Sequence, residues 1–255
     1  MAKRELLRAE GLGLVFNGGD LPFTAVDGVD LSLSDRRYTA IVGPSGSGKS
    51  SLLYLLSGLR RPTSGSVHFR GVDYAALGDA GVAALRRQNY GFIFQQHFLV
   101  NYLGALENVL VGARSPGPSV RARGLQLLER LGLGAKAGQR PYQLSVGERQ
   151  RVAVARAMIS EPAMIFADEP TASLDQRTGR EVIELLAEYR EHGSVLVVTH
   201  DVGMTSGCDT LLEMRDGRIG APVAARRSPR RRSPAAPPSR TSNPARDRAA
   251  GPGRR

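Results

Sequence analysis

Short apolar runs alternate with segments of helical periodicity over most of the chain. Runs rich in Val, Ile and Ala at 38–42, 163–167 and 194–199 predict buried strands, and the apolar spacing at 49–59 and 178–191 predicts helices. Strands that are followed by helices usually pair in parallel, with the helices covering the sheet. The pattern therefore predicts an α/β fold with a mainly parallel sheet.

Two regions depart from this alternation. Residues 11–33 alternate apolar and polar positions and are interrupted by turn-forming residues at 17–20, which predicts an N-terminal antiparallel β subdomain. Residues from about 95 to 160 carry helical periodicity at 120–131 and 147–159, separated by joints rich in Gly and Pro. We expect this second region to be a helical subdomain inserted into the α/β body.

The composition limits the class of protein. A chain of 255 residues with 41% apolar residues and one cysteine can bury a core, and it excludes fibrous and disulfide-stabilised classes. The sequence has no apolar run long enough to span a bilayer, and its first residues lack the apolar core of a secretory signal. We therefore expect the chain to stay in the cytoplasm and to reach a membrane only through a partner.

The net charge of +11 is concentrated at one end of the chain. Residues 1–220 carry about +2, whereas residues 221–255 contain ten arginines, one acid and seven prolines and carry +9. A segment with so few large apolar side chains cannot offset the entropy cost of folding. We predict a folded domain at 1–220 and a disordered basic tail at 221–255. The tail is interpreted as a solvated extension, with charge-driven contact to acidic lipid or nucleic acid as the alternative.

A glycine-rich loop separates the strand at 38–42 from the helix that follows it. Its residues match the G-x-x-x-x-G-K-[ST] spacing of a phosphate-binding loop. Glycines let backbone N–H groups turn toward an anion, and the helix N-terminus adds a positive end. We expect Lys49 to reach the β- and γ-phosphates of a nucleotide and Ser50 to ligate magnesium. The candidate nucleotide-binding residues are Gly43, Pro44, Ser45, Gly46, Ser47, Gly48, Lys49, Ser50 and Ser51.

Two adjacent carboxylates follow the apolar run at 163–167. Asp168 falls at the carboxyl end of a strand beside the phosphate loop, where an acid can hold magnesium directly or through water. Successive strand residues point to opposite faces, so Glu169 is expected to point away from Asp168 and to orient an attacking water. An ordinary acidic strand end is the alternative interpretation.

Three further segments make a resemblance specific: DEPTASLD at 168–175, LSVGERQR at 144–151 and THD at 199–201. With the phosphate loop they resemble the motifs of ATP-binding cassette (ABC) transporter ATPases, in the same order and over residues 12–219. The resemblance implies a P-loop NTPase core, ATP and Mg²⁺ as ligands, and ATP hydrolysis. It also implies a transmembrane permease as partner and a head-to-tail pair with a second cassette, expected to be a copy of this chain, around two ATP molecules.

The segment at 144–151 can also be interpreted without the family resemblance. The Ser145-x-x-Glu148 spacing predicts a capping box at a helix N-terminus. The resemblance implies that this end faces the γ-phosphate bound by the second subunit, and that Asp175 communicates across the pair. Val146 stands where the family has Gly; a β-branched residue there would be costly in a left-handed conformation and could crowd the phosphate, which leaves the Gly147 N–H as donor. The implied signature and dimer contacts are Ser145, Val146, Gly147, Glu148 and Asp175.

The resemblance assigns three more residues. Gln95 is implied to reach magnesium, with Ser50 and Asp168, and to couple to the helical subdomain and the membrane partner; the adjacent Gln96 leaves the register open by one residue. His200 is implied to contact the γ-phosphate as a catalytic residue. Phe16 lies where the family places an aromatic ring on adenine, and a core phenylalanine on a strand is the alternative.

The resulting hypothesis is an ATPase subunit that powers a separate membrane permease from the cytoplasmic face of the membrane. Residues 104–109, GALENV, are similar to the lipoprotein-releasing and macrolide-export branch. The alternative is a soluble ABC-type ATPase acting on nucleic acid or the ribosome. The paired cassettes, coiled-coil insertions and zinc motifs of those proteins are missing from this sequence, so no specific nucleic acid is expected. A non-hydrolysing regulatory cassette would lack the acid at Glu169.

Overall fold

The computed structural model describes residues 4–17 and 21–221, which form two sheets and six α-helices. In the described part of the chain, no helix is both long and apolar enough to cross a membrane. The strands are β1 (Glu5–Phe16), β2 (Phe23–Ser34), β3 (Tyr38–Val42), β4 (Ser64–Phe69), β5 (Val72–Asp73), β6 (Tyr90–Ile93), β7 (Met164–Asp168), β8 (Ser194–Thr199), β9 (Thr210–Arg215) and β10 (Arg218–Ile219). The helices are α1 (Lys49–Leu56), α2 (Tyr74–Asn89), α3 (Ala105–Leu110), α4 (Pro118–Arg130), α5 (Val146–Met158) and α6 (Gln176–Glu188).

The larger sheet has the strand order β10-β9-β3-β8-β7-β6 and is parallel except for β10, which pairs antiparallel with β9. Every residue of β3, β7 and β8 is buried, which explains why these strands have continuous apolar sequences instead of an alternating pattern. Because the strands are parallel, their carboxyl ends meet at one edge. The phosphate loop, the two carboxylates and His200 all follow strands at this edge.

The smaller sheet has the order β2-β1-β4-β5 and is antiparallel, as the alternating pattern predicts. Helix α1 contacts β1 and β2 of this sheet and β7 and β8 of the larger one. Its leucines are therefore buried on more than one side and share a core with both sheets. The helix that follows the phosphate loop is thus held rigidly between two layers. The predicted turn at 17–20 lies mostly outside the described residues.

The bounds of helices α1 and α6 differ from those predicted. Helix α1 ends at Leu56, three residues before the predicted end, because Gly58 adopts the left-handed conformation with φ +66° and its N–H bonds to Leu55. Helix α6 begins at Gln176, two residues early, because Asp175 caps it. It ends at Glu188, and the rest of the predicted span is a 3₁₀ turn at Tyr189–Glu191.

Helices α3, α4 and α5 pack on one another within the region predicted to be helical, and their apolar faces join a second core cluster with β7 and β8. The sequence pattern missed α2, which precedes β6. Only Val82 of that helix is buried, and Gly78 interrupts it with a non-helical backbone, so its apolar periodicity is weak. The predicted subdomain bounds of 95–160 stay a prediction.

We expect a chain that ends at Gly220 to keep its fold. The last described contacts are β10 on β9 and the Gly220 N–H bonded to Glu213 O at 2.9 Å, and both survive this truncation. Its melting temperature should lie within about 2 °C of the full chain. A chain that ends at Asp216 removes β10 and is the matched control, expected to melt several degrees lower. Loss of the cooperative transition in the 1–220 chain would show that the tail is structural.

Candidate nucleotide-binding and hydrolysis site

The phosphate loop joins β3 to α1 through a backbone that requires glycine. Gly46 and Gly48 have φ values of +80° and +100°, in the region that other residues rarely adopt. A Cβ atom on Gly48 would also lie 2.1 Å from the carbonyl oxygen of Ala25 on β2. The smaller sheet therefore lies directly against the phosphate loop, and only glycine fits at position 48, the last residue of the loop.

Lys49 is the first residue of α1 and lies inside the loop, with 7% of its surface exposed. Its ammonium donates hydrogen bonds to the carbonyl oxygens of Gly43 and Pro44, both at 2.8 Å. The residues around this charge at the rim, including Ser45, are exposed. The arrangement places one cation and the free N–H groups of a helix N-terminus around the same concave loop, as anion binding requires.

Asp168 links the phosphate loop to the end of β7. Ser50 Oγ donates to its Oδ1 at 2.8 Å, and Tyr54 OH donates to its Oδ2 at 3.0 Å. Burial raises the pKa of Asp168, and the hydrogen bonds from Ser50 and Tyr54 oppose that shift. Hydroxyl and carboxylate oxygens are hard ligands, so the pair Ser50 and Asp168 fits a hard divalent cation such as Mg²⁺. In the described ranges no group of three or more His, Cys, Asp or Glu side chains is arranged to hold a metal ion, so a cation here would need further ligands of another kind.

Glu169 points away from Asp168, but not for the predicted reason. It lies one residue beyond β7 and has φ +48°, a conformation that costs a non-glycine residue energy. Its N–H still bonds to Val198 O on β8, at 2.9 Å. The predicted divergence of the two carboxylates is present, but it accompanies a left-handed backbone at Glu169 and not strand alternation.

Glu169 and His200 are brought together at the ends of β7 and β8. The His200 backbone N–H donates to Glu169 Oε1 at 2.9 Å, and its ring Nδ1 lies 2.8 Å from the same oxygen. Thr199 Oγ1 donates to Oε2 at 2.9 Å. The Glu169 side chain is 13% exposed and the His200 ring 58%, so the carboxylate is fixed while the imidazole faces solvent. Both predicted catalytic residues thus lie in one hydrogen-bonded group.

The predicted capping box at α5 is present. Ser145 Oγ accepts the Glu148 N–H at 3.2 Å, and Glu148 Oε2 accepts the Ser145 N–H at 2.9 Å. Lys136 forms an ion pair with Glu148 Oε1 at 2.6 Å and lowers the pKa of that carboxyl. Val146 is the first helical residue, and its φ is not positive, so it does not incur the left-handed cost considered above. Its side chain is exposed beside Gly147.

Comparison with known proteins identifies the family of this chain. The sequence profile of the ABC transporter family matches residues 26–172, more than half of the chain. The chain belongs to the ABC transporter family. The lipoprotein-releasing system ATP-binding protein LolD of Xanthomonas oryzae pv. oryzae (strain MAFF 311018) is 42% identical over 219 residues, covering 84% of this chain and 90% of that protein. The macrolide export ATP-binding/permease protein MacB of Rhodopseudomonas palustris (strain HaA2) is 42% identical over 243 residues, 91% of this cassette.

Solved structures agree with the family assignment. A dimeric, post-hydrolysis structure of the ATP-binding cassette MJ0796 bound to ADP and Pi matches with a TM-score of 0.81 at 33% identity, covering 87% of this cassette and 99% of that chain. The predicted fold class and family are confirmed, and the cassette belongs to a type whose members hydrolyse ATP. It spans only 37% of the MacB relative, so that protein contains much that this sequence does not.

Other predicted site residues of the cassette are dispersed. Gln95 and Gln96 are exposed just beyond β6, and neither bonds to Ser50 or Asp168 in the described residues. Phe16 is the last residue of β1. The Arg60 guanidinium lies over its ring, 4.2 Å from the ring centroid, so one face of the ring already has a cationic neighbour. Asp175 accepts the backbone N–H groups of Arg177 and Thr178 as the N-cap of α6. In a single cassette Asp175 therefore has a structural role as a helix cap.

Two polar residues of α5 were not identified from the sequence. Gln150 is 1% exposed and donates to Pro170 O at 3.0 Å, in the loop that follows Asp168 and Glu169. Arg156 donates to the carbonyl oxygens of His97 and Phe98, both at 2.6 Å, just after Gln95. Polar residues on the buried side of an amphipathic helix were the available signal. Helix α5 thereby connects residues 144–151, the signature segment, to the loop after Glu169 and to the chain just after Gln95.

We expect Glu148→Gln to lower stability slightly at neutral pH. The amide oxygen still accepts the Ser145 N–H, but the ion pair with Lys136 is lost, which costs below about 1 kcal/mol. The folded pKa of Glu148 lies below its ordinary value of 4.5, so the extra stability of the parent exists above that pH and disappears as pH falls through the folded pKa. Urea unfolding of the parent and of Glu148→Gln at pH 7 and pH 3.5 measures how their difference in free energy of unfolding changes with pH.

Glu184→Gln is the control for this comparison, because Glu184 is an exposed helical carboxylate with no ion pair among the described residues. Its effect should be small at both values of pH. If parent and Glu148→Gln differed equally at the two pH values, the ion pair with Lys136 would not be the source of the difference.

Proposed function

We propose that this chain is the ATP-binding and ATP-hydrolysing subunit of an ABC transporter. One observation carries the proposal: the phosphate loop, Asp168 and the Glu169–His200 pair lie at one edge of the parallel sheet. The Ser50–Asp168 hydrogen bond of 2.8 Å joins the loop directly to the carboxylates. A phosphate cradle, a cation ligand and a water-orienting carboxylate form the set that hydrolysis of a nucleoside triphosphate needs.

Ser50 and Asp168 are the proposed ligands of Mg²⁺, with Gln95 as a third. The bound ion would neutralise charge on the β- and γ-phosphates. The all-oxygen character of the Ser50 and Asp168 pair, and the 2.8 Å between their oxygens, support this assignment. Mg²⁺ usually keeps several waters and phosphate oxygens, so a site with few protein ligands is ordinary for this ion.

Glu169 is the proposed acceptor for the attacking water. The water donates a hydrogen bond to the carboxylate and directs its oxygen at the γ-phosphorus. As the new P–O bond forms, Glu169 takes a proton from the water and the bond to the bridging oxygen breaks. The products are ADP and inorganic phosphate, and Glu169 then releases the proton to solvent. Lys49 and the loop N–H groups stabilise the negative charge on the phosphates, and His200 holds Glu169 Oε1 from the solvent side.

The signature segment acts on the nucleotide of a second cassette. Ser145 and Gly147 lie at the start of α5, and no hydrogen bond links them to the phosphate loop of their own chain in the described residues. The N–H groups of this helix end can serve an anion that another subunit brings. The dimeric MJ0796 structures support the pairing of two cassettes, and the head-to-tail arrangement is part of the proposal.

A transmembrane permease is the proposed partner, which places the cassette at the cytoplasmic face of a membrane. The relatives named above are a lipoprotein-releasing system ATP-binding protein and a macrolide export ATP-binding/permease protein. The match covers 90% of the LolD relative, whose name is that of an ATP-binding protein, and this supports the role of an ATP-binding component. The same relatives give no support to the alternative of a cassette acting on nucleic acid or the ribosome.

We expect Glu169→Gln to bind ATP and to accumulate a closed pair of cassettes. The amide cannot accept the proton of water, so hydrolysis should fall by at least about 100-fold while the phosphate loop stays intact. Light scattering with ATP should report a dimer that reverts on dilution. Lys49→Ala is the control and should lose nucleotide binding itself. Hydrolysis at the parental rate by Glu169→Gln would overturn the role given to this carboxylate.

We expect the cassette to co-purify with a polytopic membrane protein when it is isolated from detergent-solubilised membranes. Mass spectrometry identifies that partner, and its addition in lipid should stimulate ATP hydrolysis by the parent but not by Glu169→Gln. Stimulation by nucleic acid in a detergent-free preparation, without a membrane partner, would favour the alternative function instead.

A further inference from the structure

Tyr54 stands at the junction of three parts of the candidate site. It lies on α1, one helical turn after Ser50, so both side chains project from the same face of the helix. Its hydroxyl donates to Asp168 Oδ2 at 3.0 Å. Its ring packs on Phe94, with the centroids 6.4 Å apart, and Phe94 directly precedes Gln95. No motif in the sequence singles out this tyrosine.

We propose that Tyr54 is a positioning residue for the divalent-cation site. Ser50 and Tyr54 donate to different oxygens of Asp168, so the plane of the carboxylate is fixed by two hydrogen bonds from one helix. The oxygen next to Ser50 is then held in place for a cation, while the phenol occupies the other oxygen. Hydrogen bonds that orient a ligating carboxylate usually affect metal affinity strongly.

The aromatic contact extends this positioning to the segment that carries Gln95. Phe94 stacks on Phe92 of β6, with centroids 5.6 Å apart and an interplanar angle of 3°, and Phe92 stacks in turn on Phe166 of β7. The ring of Tyr54 thus rests against the end of an aromatic stack that anchors the backbone just before Gln95. A single side chain contacts the elements that carry all three proposed cation ligands.

The same core offers a matched control. Tyr74 also forms hydroxyl hydrogen bonds, to Leu56 O at 3.0 Å and with Tyr90 OH at 2.6 Å, but it does not contact Asp168. Tyr74→Phe and Tyr54→Phe each delete one hydroxyl and keep the ring. A merely structural role for the Tyr54 hydroxyl would therefore give the two variants the same phenotype.

The experiment measures Mn²⁺ binding by electron paramagnetic resonance in the presence of saturating ADP, so that no turnover occurs. Tyr54→Phe should weaken Mn²⁺ binding to the protein–ADP complex by roughly tenfold. ADP binding in EDTA should stay within about twofold of the parent, because the phosphate loop is unchanged. Tyr74→Phe should match the parent in Mn²⁺ affinity, and Tyr54→His, which restores a donor, should recover part of the loss.

The inference rests on the proposed function, and the two can fail separately. Equal Mn²⁺ affinities in the parent and Tyr54→Phe would overturn the role of Tyr54 alone. Equal losses in Tyr54→Phe and Tyr74→Phe would also overturn it, because any lost hydroxyl would then suffice. A parent chain that bound neither ADP nor Mn²⁺ would overturn the proposed function and this inference together. Thermal melts of each variant confirm that the folded chain is compared.

Discussion

Parallel pairing of three fully buried strands is the constraint on which the rest of this structure depends. Backbone hydrogen bonds hold β3 beside β8 and β8 beside β7, so the residues that follow these strands must emerge side by side. Residues far apart in the sequence, such as Ser50 and Asp168, thereby come within a hydrogen bond of each other. Of the candidate site residues, Asp168 ends strand β7 and the others follow the strands, so the register of the sheet sets the relative positions of the loop, the carboxylates and the histidine.

A second constraint is the position of α1 between two sheets. Its leucines are buried against both layers, so the helix cannot shift without opening a core. Because Lys49, Ser50 and Tyr54 all project from this helix, their spacing is inherited from a rigid element. This arrangement explains how a loop composed largely of glycine and serine can present a defined site: the flexible residues provide backbone donors, and the helix behind them provides the order.

The sequence was most informative where chemistry depends on local spacing. The phosphate loop, the Ser145–Glu148 capping box and the family motifs are patterns within a few residues, and each is found in the expected element. The backbone of Glu169 was not predictable in this way, because its left-handed conformation depends on a tertiary hydrogen bond to β8. Tyr54 was missed for a related reason: an aromatic residue on an apolar helix has the pattern of a core residue, and only the fold brings Asp168 to it.

Helix α5 is long enough to contact several separate segments of the candidate site. Its 13 residues extend about 20 Å, with the Ser145–Glu148 capping box at one end and Arg156 near the other. Arg156 holds the chain just beyond Gln95, and Gln150 holds the loop beyond Glu169 from the middle of the helix. If helix α5 tilted as a rigid body, its N-terminal segment and its contacts through Gln150 and Arg156 would move together. Helix α5 therefore couples three segments of the candidate site into one rigid unit.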